Sequence, residues 1–594
     1  MGFHTPVISR LILPIAALAA VAAVAAPALG TVSVVPPPSA APGKAQPLVP
    51  GLTYTLMRRA GGQVLHVLTM RPTASPLLSL APADLSGSLS TRATLSSGMS
   101  TRLATGATAG INADFFDLAT GTPSGVLSNN HLWTSPETSR SALTIASGGA
   151  LSIGRLTLAG RYQRLDPAAA TPYPITTFRA VNRPLPSSSA TGVVVYTSDL
   201  GRPTPTGGVQ EALISLDGGA ALPVNAPVQG TVVAVGSGGG STMAAGQVVI
   251  SGKGTSGNVV TRDLVPGSRV SVEAAIAGIP AGAWGAIGGG PMLVQGGIAV
   301  PTAGEGFSSS QISSRTTRSA VCQTSADRIL MVVSEGPQQG RRGYTMAEQA
   351  NLMVSLGCME AMGFDAGGSS LMALGRDQVV PWSNERPIAD ALIVNYTGAQ
   401  ISIPSPQRVS PNGDGLAESA TLDAQSPVAG HTVVTIARRG GGFSATLLDR
   451  SGGPDNTQIT ITPKSLGMPE GPYVVTSTLT PADGSTPTTM NRSLTVDRTL
   501  GNLRTSLKLT GKGAGRRTAL RARFTLTRQS RTTVKIVSSA GATVATAVSN
   551  RKYSPGSRTI TWTGKALPKG NYTVVVLAKN SYGTSGLQES RRLR

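Results

Sequence analysis

The chain has 594 residues, which exceeds one compact domain and predicts about three or four domains. It contains 72 glycines and 42 prolines but few charged or aromatic residues, a composition that indicates turn-rich β-structure and argues against a charged helical bundle. Because its four histidines are scattered and it has only two cysteines, the sequence also argues against a His/Cys metal centre, and we expect no metal and no cofactor.

The net charge of +22 is concentrated at the C-terminal end. Residues 501–594 contain 19 Lys and Arg and a single acid, Glu589, which gives a local net charge of +18. A positive field of this kind attracts polyanions. Because the chain has features of an exported protein and this region has few aromatic residues on which bases could stack, we expect an anionic cell-wall polymer as partner and no nucleic acid. The alternative is a soluble basic surface without a specific partner.

The predicted elements begin with an export signal. Residues 11–29 are apolar and rich in alanine, follow a short polar start, and contain small-x-small pairs suited to cleavage. We therefore expect residues 1–30 to be a cleaved signal peptide and residues 31–51 to be a Pro-rich linker. The alternative is a membrane anchor, for which the stretch is barely long enough. No later segment is apolar enough to span a bilayer, so we expect a secreted or cell-envelope-associated protein.

Residues 52–398 show short strands with few helices. The segment Val64–Leu68 is typical of a strand, and residues 91–109 have a helical period of apolar residues. Short predicted strands separated by turn dipeptides follow at Gly192–Tyr196, Thr231–Val235, Gln247–Ile250, Arg269–Ile276 and Pro291–Val294.

The clearest strand–helix unit begins at Arg328–Ser334, a continuous apolar run typical of a strand buried on both faces. Thr345 and Glu348 then fit a capping box that starts a helix, and Gly357 ends it. Next comes the loop at residues 363–370, in which successive glycines let backbone N–H groups approach a ligand. Asp365 in this loop is suited to acid–base chemistry or to anchoring a ligand; the alternative is a tight turn capped by its own aspartate.

The two cysteines, Cys322 and Cys358, predict a disulfide in an exported protein, with two buried free thiols as the alternative. A bond closing this loop would contribute about 3–4 kcal/mol in the chain-entropy model.

Beyond residue 398 the pattern changes to alternating strands with little helix. Pro-x-Gly-x-Tyr segments recur at Pro469–Tyr473 and Pro568–Tyr572, 99 residues apart. This spacing predicts two tandem β-sandwich modules at residues 405–497 and 498–594. Their openings and ends resemble the immunoglobulin-like repeats of exported bacterial proteins and the immunoglobulin-like domain of the flagellar hook-cap family. The acidic turn near Ser410 has a faint calcium-loop spacing but lacks the later ligands, which favours a plain turn.

Five motifs occur in a defined order within residues 52–398. They are Asn112-x-x-Phe-Phe-Asp117, Asn182-Arg183-Pro184, Ile287-Gly-Gly-Gly-Pro291, Arg318-x-Ala-Val321 and Asp365-x-Gly-Gly-Ser-Ser370. In this order they resemble the phosphodiester glycosidase family. The resemblance implies an enzyme that hydrolyses the bond between a sugar's anomeric carbon and a phosphate, or that acts on envelope polysaccharides, so a carbohydrate or sugar-phosphate substrate is expected.

The resemblance also implies roles for individual residues. Asp365 is the first candidate for the catalytic carboxylate and Asp117 the second. The residues implied in substrate binding are Asn112, Arg183, Arg318, Gly367, Gly368, Ser369 and Ser370. Two arginines can clamp a phosphate and glycine-loop amides can stabilise developing charge.

Five positions depart from the family pattern: Ala113-Asp114 replaces Gly-Gly and adds a carboxylate, Ala366 replaces a loop glycine, Asn129 replaces an aspartate and Cys322 a glycine. Alanine does not readily take positive φ, so either the loop has ordinary φ at Ala366 or its geometry has shifted.

The expected fold class is α+β: a mixed β-sheet domain of the catalytic type with few helices, followed by two all-β immunoglobulin-like sandwiches. The expected function is a secreted hydrolase of sugar-1-phosphodiester or related cell-envelope glycan linkages, held near the anionic wall by its basic C-terminal module. The alternative is a non-catalytic envelope-glycan-binding or adhesin-like protein that retains the fold.

Overall fold

The computed structural model describes residues 32–34, 43–137, 139–166, 168–300, 304–325, 328–539 and 541–594. The predicted signal peptide at residues 1–30 lies outside these ranges, as do residues 31 and 35–42 of the predicted linker. The rest of the linker is not unpaired, because Val32–Val34 pairs with the last strand of the chain and Gln46–Val49 pairs with the strand that begins at Leu52. Within them, no helix is both long and apolar enough to cross a membrane.

The described residues form 42 strands and four α-helices, which confirms the expected largely β fold class. The helices are α1 Leu95–Ser100, α2 Thr255–Asp263, α3 Ser309–Ser313 and α4 Met346–Ser355. The first strands are β1 Val32–Val34, β2 Gln46–Val49, β3 Leu52–Arg58, β4 Val64–Met70, β5 Leu78–Asp84, β6 Ala107–Asn112, β7 Leu127–Asn129, β8 His131–Thr134, β9 Ser141–Ala146, β10 Leu151–Arg155, β11 Thr157–Leu165, β12 Thr176–Phe178, β13 Ala180–Val181 and β14 Gly192–Thr197.

The strands of the middle of the chain are β15 Val209–Leu216, β16 Pro227–Ser237, β17 Gln247–Lys253, β18 Arg269–Ala277, β19 Ala283–Gly288, β20 Met292–Gln295, β21 Ile298–Ala299, β22 Arg318–Ser325, β23 Arg328–Ser334, β24 Glu360–Gly363, β25 Met372–Leu374, β26 Asp377–Gln378 and β27 Asp390–Tyr396. Up to β27 the strands form four sheets, ordered β2-β3-β4-β23-β22-β24-β20-β21, β26-β25-β6-β27-β5, β10-β9-β19-β7-β8 and β12-β11-β18-β16-β15-β17-β14-β13.

Two of these sheets position the glycine-rich loop. Strand β24 lies inside the first sheet and β25 inside the second, so the chain between them crosses from one sheet to the other. Strands β6 and β27, which flank the crossover, are almost wholly buried along their length. Burial on both faces makes this crossover a rigid support for side chains that project from it.

Most local predictions for this region agree with the structure. Strand β23 spans Arg328–Ser334, and Thr345 caps α4 in a reciprocal capping box with Glu348. The helix expected over residues 91–109 is shorter, because α1 ends at Ser100 and Gly106, at a φ of 96°, turns the chain into the buried strand β6.

The C-terminal strands repeat one topology twice. The first set is β28 Gln400–Ile401, β29 Arg408–Val409, β30 Ala420–Ser426, β31 Gly430–Arg438, β32 Ser444–Gly452, β33 Asp455–Ile461, β34 Gly471–Pro481 and β35 Thr488–Val496. The second set is β36 Leu500–Thr510, β37 Arg517–Leu526, β38 Ser530–Ser538, β39 Thr543–Tyr553, β40 Gly556–Lys565, β41 Gly570–Asn580 and β42 Gly583–Leu593. Sheets β28-β30-β33 and β29-β35-β34-β31-β32 correspond to sheets β36-β37-β40 and β1-β42-β41-β38-β39.

A tyrosine holds the same turn in both sandwiches. The Tyr473 hydroxyl donates to the Pro469 carbonyl at 2.6 Å, and the Tyr572 hydroxyl donates to the Pro568 carbonyl at 2.8 Å. Such a contact, from a tyrosine back to the backbone a few residues upstream, is a feature of immunoglobulin-like sandwiches. The repeated segment in the sequence therefore has a repeated structural role.

Candidate active site

The crossover loop is tied to both sheets by backbone hydrogen bonds. The Asp365 N–H donates to the Ala113 carbonyl at 2.8 Å, and the Gly367 N–H donates to the Thr317 carbonyl at 2.9 Å. Asn112, at the end of β6, donates to the Asp365 carbonyl at 2.8 Å and accepts from the Leu371 N–H at 2.9 Å. Since Asn112 is almost fully buried, its role in the structure is to hold the loop.

Ala366 has an ordinary extended conformation, with φ −110° and ψ −179°. The residue in the left-handed region is Gly367, at a φ of 67°. Replacing the first loop glycine by alanine therefore adds no backbone strain, because the loop needs its positive φ one residue later. Of the two alternatives for this position, the structure has ordinary φ.

The Asp365 carboxylate lies within the loop. One of its oxygens accepts from the Ala366 N–H at 2.8 Å. Burial raises the pKa of Asp365, against the lowering effects of the Ser369 hydroxyl, the Ala366 N–H and the charges of Arg386 and Arg140. A carboxyl group with a raised pKa is a stronger base when ionised, and a larger fraction of it remains protonated, and so able to donate a proton, near neutral pH.

Arg386 packs against this loop and was not identified from the sequence. Its guanidinium donates to the Ser369 hydroxyl at 3.3 Å, and a Cβ on Gly368 would come within 3.0 Å of it. Gly368 thus makes room for a cation as well as for a backbone turn. No motif marks Arg386 in the sequence, because its importance depends on a contact with a segment 17 residues earlier.

An open cavity of about 610 Å³ has a lining that includes Asp117, Glu137, Arg140, Arg179 and Arg183, and no residue of the loop at 363–370 is part of that lining. The predicted residues Asp117 and Arg183 are therefore in one cleft. Asp117 is exposed and accepts from the Ala119 and Thr120 N–H groups, and the Thr120 contacts lower its pKa most. It is held as an anion at the rim.

Arg183 forms part of the wall of the cleft. Its guanidinium donates to the carbonyls of Ser124 and Pro136, and it lies 3.5 Å from the Glu137 carboxylate. These contacts leave Arg183 less able to act as a free phosphate clamp than the sequence indicates. Burial lowers the pKa of this guanidinium, and the neighbouring charges of Glu137 and Asp114 oppose that effect.

Arg140, in the same cleft, has different surroundings, although each guanidinium has one buried nitrogen without a partner among the described residues, Nη1 in Arg140 and Nε in Arg183. Its guanidinium carbon lies 4.9 Å from the ring centre of Phe115 and 4.8 Å from that of Phe307. Its buried Nη1 has no hydrogen-bond partner among the described residues. The charge of Arg140 lowers the pKa of both Asp114 and Asp365. Sequence analysis missed this residue; the Phe-Phe pair of the first motif was the only local signal.

Asp114, the added carboxylate, is buried beneath the cleft. It accepts from the N–H groups of Phe115 and Gly125, and a Cβ on Gly125 would lie 2.9 Å from its Oδ2. The Asp114 N–H in turn donates at 2.8 Å to Asp390, whose second oxygen has no partner among the described residues. Burial raises the pKa of Asp114 to about 7, and burial together with the Asp114 charge raises the pKa of Asp390.

Arg318 is not among the residues that line the cleft. It is buried and donates to the carbonyls of Tyr344, Gln311 and Ser314 at 2.8–2.9 Å. Burial lowers its pKa to about 10. Its donors are thus occupied by the protein, because the segments around α3 and α4 fold over it, and the expected clamp of Arg183 and Arg318 is not formed.

The remaining predicted residues support the loop. The Ser370 hydroxyl donates to the Thr317 carbonyl at 3.1 Å, and Ser369 is fully buried beside Arg386. Cys322 on β22 and Cys358 after α4 are joined in a disulfide. Across the described ranges, no group of three or more His, Cys, Asp or Glu side chains is arranged to hold a metal ion.

The first part of the chain is thus a β-rich region with polar and charged side chains at a loop that crosses between two sheets and in a separate cleft. Residues 223–395 match the family model described as phosphodiester glycosidase, the family that the motifs resemble. No curated protein matches the chain.

Solved structures resemble the chain at low identity. A hypothetical protein from Synechocystis is 22% identical, with 62% of this chain and 68% of that chain covered and a TM-score of 0.48. A putative exported protein from Burkholderia pseudomallei is 21% identical, with 56% and 74% covered and a TM-score of 0.46. The catalytic domain of zebrafish N-acetylglucosamine-1-phosphodiester alpha-N-acetylglucosaminidase, auto-inhibited by its pro-peptide, is 12% identical, with 62% and 88% covered and a TM-score of 0.30.

Proposed function

We propose that this protein is a secreted hydrolase of sugar-1-phosphodiester or related cell-envelope glycan linkages. The match of residues 223–395 to the phosphodiester glycosidase family supports the reaction class. The observation that carries the proposal is Arg140, a cation that packs against two aromatic rings and has an unpartnered buried nitrogen.

Arg140 is suited to bind the phosphate of the substrate. A buried charged donor without a partner is costly, and an anion that enters the cleft removes this cost. A guanidinium matches phosphate oxygens through two parallel N–H bonds. The rings of Phe115 and Phe307 hold the guanidinium in place, so little rotamer entropy is lost on binding.

Asp365 is suited to the proton transfer. Hydrolysis breaks the bond from the anomeric carbon to the phosphate oxygen, water adds at that carbon, and the phosphate leaves with the bonding electron pair. Because a phosphate leaves readily as an anion, the main demand is on a carboxylate that takes the proton of the attacking water or attacks the carbon itself. Arg140 stabilises the charge that develops on the phosphate.

The test is release of sugar from an α-N-acetylglucosamine 1-phosphodiester by the full chain. Asp365→Asn is expected to lower kcat by about 10²–10⁴-fold while the melting temperature changes little. Asp117→Asn is the matched control at the cleft rim and is expected to retain most activity. Full activity of Asp365→Asn would overturn the role of this carboxylate.

A second candidate function is glycan binding without turnover, in a domain that keeps the fold. Of the departures that motivate it, Ala366 is unstrained, and Asn129 donates to the Pro82 carbonyl at 2.9 Å. Asp114 is the observation that favours it, because a buried carboxylate near Arg140 competes with phosphate for that cation. Retention on envelope glycans with no sugar released from a broad panel would support this candidate over the hydrolase.

We also propose that the protein is exported by residues 1–30 and held near an anionic wall by residues 498–594. The charge of the last module supports this proposal. Deleting residues 498–594 is expected to abolish retention on isolated walls and to leave hydrolysis of a small soluble substrate unchanged. Unchanged wall retention would overturn the tethering role alone.

A further inference from the structure

The last sandwich has a basic face on its three-stranded sheet, β36-β37-β40. Along β37, Leu520, Ala522 and Phe524 point inward and are buried, whereas Arg521 and Arg523 alternate with them and are exposed. This is the period of a strand with one face on a core. Three of the five outward positions of β37 are arginine, and the other two are Ala519 and Thr525, although the fold requires no charge at any of them.

The neighbouring strands extend this face. The basic face consists of Arg504 and Lys508 on β36, Arg517, Arg521 and Arg523 on β37, and Lys565 on β40, all exposed. Arg504 lies directly opposite Arg523, and Arg517 directly opposite Lys565. Like charges at directly opposed positions of a sheet are destabilising, so this arrangement reduces the stability of the module unless an anion covers it.

The described residues contain nothing that neutralises the basic face. The ion pairs formed by arginines of the two sandwiches use other side chains: Arg408, Arg450, Arg528 and Arg591. The one acid of residues 501–594, Glu589, is buried; it accepts from the Thr505 N–H at 2.6 Å and pairs with Arg591. Among the described residues, no acidic side chain therefore pairs with the cations of the basic face.

The corresponding sheet of the first sandwich, β28-β30-β33, shows that the fold does not require these charges. At its matching positions Thr421 faces Thr460 and Asp423 faces Gln458. Asp423 pairs with Arg376 of the glycosidase region at 2.6 Å, so this sheet is used against the rest of the chain. The same architectural face thus has a protein partner in one sandwich and carries unpaired cations in the other.

We propose that the basic face binds a linear polymer whose repeating units are joined by phosphodiesters, such as a polyol phosphate or sugar phosphate chain. Outward residues two apart on a strand are about 6.8 Å apart, so successive cations can meet successive phosphates of an extended chain. Thr561 and Thr563 on β40 add hydroxyls between the cations. The inference rests on the proposed function, because the glycosidase domain would act on the same linkage chemistry in the polymer that the face holds.

Nucleic acid is the competing polyanion, and the face lacks what it needs. Binding of single strands combines positive charge with aromatic rings on which bases stack. The basic face presents no aromatic residue: Trp562 lies opposite buried Leu520 and packs against the interior of the module. A polymer of phosphate and polyol, which needs only charge and hydrogen bonds, fits this surface better.

The other sheet of the module also carries cations and supplies the control. Arg531 lies opposite both Lys552 and Lys579, and Arg592 is exposed on β42. Val575, at an outward position on β41, is 5% exposed, so that face is interrupted by covered apolar surface. A variant that loses four cations from one sheet therefore has the same net charge as a variant that loses four cations from the other sheet.

The experiment measures binding of the full chain to synthetic poly(glycerol phosphate) at several salt concentrations. The face variant R504Q/K508Q/R521Q/R523Q is expected to weaken binding at least about tenfold and to reduce the slope of log K against log salt by about 3. The control variant R531Q/K552Q/K579Q/R592Q is expected to weaken it less than about threefold. Replacing Arg504, Arg521 and Arg523 by lysine is expected to preserve most binding, because the charge is kept.

Three outcomes would overturn the inference: no binding of poly(glycerol phosphate) by the unaltered chain, equal losses in the face and control variants, or equally tight binding of single-stranded DNA of matched charge. Melting curves check that both variants fold, and the face variant is expected to be at least as stable as the unaltered chain. Hydrolysis of a small soluble phosphodiester is expected to be unchanged in both variants. A failure of the hydrolase proposal is therefore seen separately from a failure of this one.

Discussion

The cations of the cleft and those of the basic face carry the same charge in opposite surroundings. Arg140 packs against two aromatic rings that also contact each other, with one nitrogen buried and unpartnered, and Arg183 is bound to carbonyls of the cleft wall. Arg521 and Arg523 project from a strand into solvent.

These surroundings determine how much a single cation contributes to the free energy of binding an anion. In a buried site the effective dielectric is low, so one cation contributes much to binding a single anion and its loss is severe. At an exposed face each cation is screened by salt over about 8–10 Å, so binding is collective and no single residue dominates. The cleft is therefore suited to recognising one phosphate and the basic face to retaining a polymer.

The largest expected effect is at Arg140. Arg140→Leu is expected to lower kcat/KM by about 10²–10³-fold, because the donor to the developing phosphate charge is lost. The melting temperature is expected to stay level or rise, since leucine packs against Phe115 and Phe307 without a buried charge. Arg179→Leu, at an exposed arginine of the same cleft, is the control and is expected to change activity less than about threefold. Equal losses in both variants would contradict a special role for Arg140.

The next effect is on stability, at Arg318. Arg318→Met is expected to lower the free energy of unfolding by about 3 kcal/mol, because three buried carbonyls lose their donor. Urea denaturation measures this change, and sugar release by the fraction that remains folded is expected to be near normal. Unchanged stability with lost activity would instead place Arg318 in substrate binding.

A smaller effect is the difference in salt dependence between polymer binding at the basic face and substrate binding in the cleft. Raising salt from 50 to 200 mM is expected to weaken polymer binding by about 10–100-fold, as for a surface that contacts several phosphates. The KM for a small phosphodiester is expected to change less than about threefold, because the cleft cation is shielded from solvent ions. Equal salt dependence of both quantities would remove the distinction between cleft and face.

The smallest expected effect is a pH dependence of stability from Asp114 and Asp390. Burial raises the pKa of both carboxyls, that of Asp114 to about 7, whereas in the unfolded chain they titrate near about 4. Between these values the folded state keeps protons that the unfolded chain releases, so stability falls as pH rises from about 4 to about 7. Asp84 and Asp365 raise the pKa of Asp390 further, while Arg140 and Arg183 lower that of Asp114.

Asp390→Asn tests this dependence. The amide oxygen still accepts from the Asp114 N–H, and one ionisable buried group is removed. We expect a melting temperature about 2–4 °C higher at pH 8 and little change at pH 4. Thermal melts across this range check it, and parallel curves for the two proteins would contradict the expected loss of stability with rising pH.

Some elements could be predicted because their signals are local. The Thr345–Glu348 cap lies within one helical turn, and β23 is one continuous apolar run. The helix predicted over residues 91–109 is too long because its C-terminal end depends on distant residues. Its apolar period continues into β6, where burial between β25 and β27 overrides helical propensity.

The sequence by itself determined the β-rich class, the ordered motifs that indicate a phosphodiester glycosidase, the repeat of two sandwiches and the concentration of charge at the C-terminal end. Only the tertiary structure decided which cations are available to a ligand. Arg318 has a motif and is occupied by carbonyls, whereas Arg140 has none and keeps an unpartnered nitrogen. The physical reason is that secondary structure depends on residues a few positions apart, while the hydrogen-bond partners of a side chain come from segments that meet only when the sheets pack.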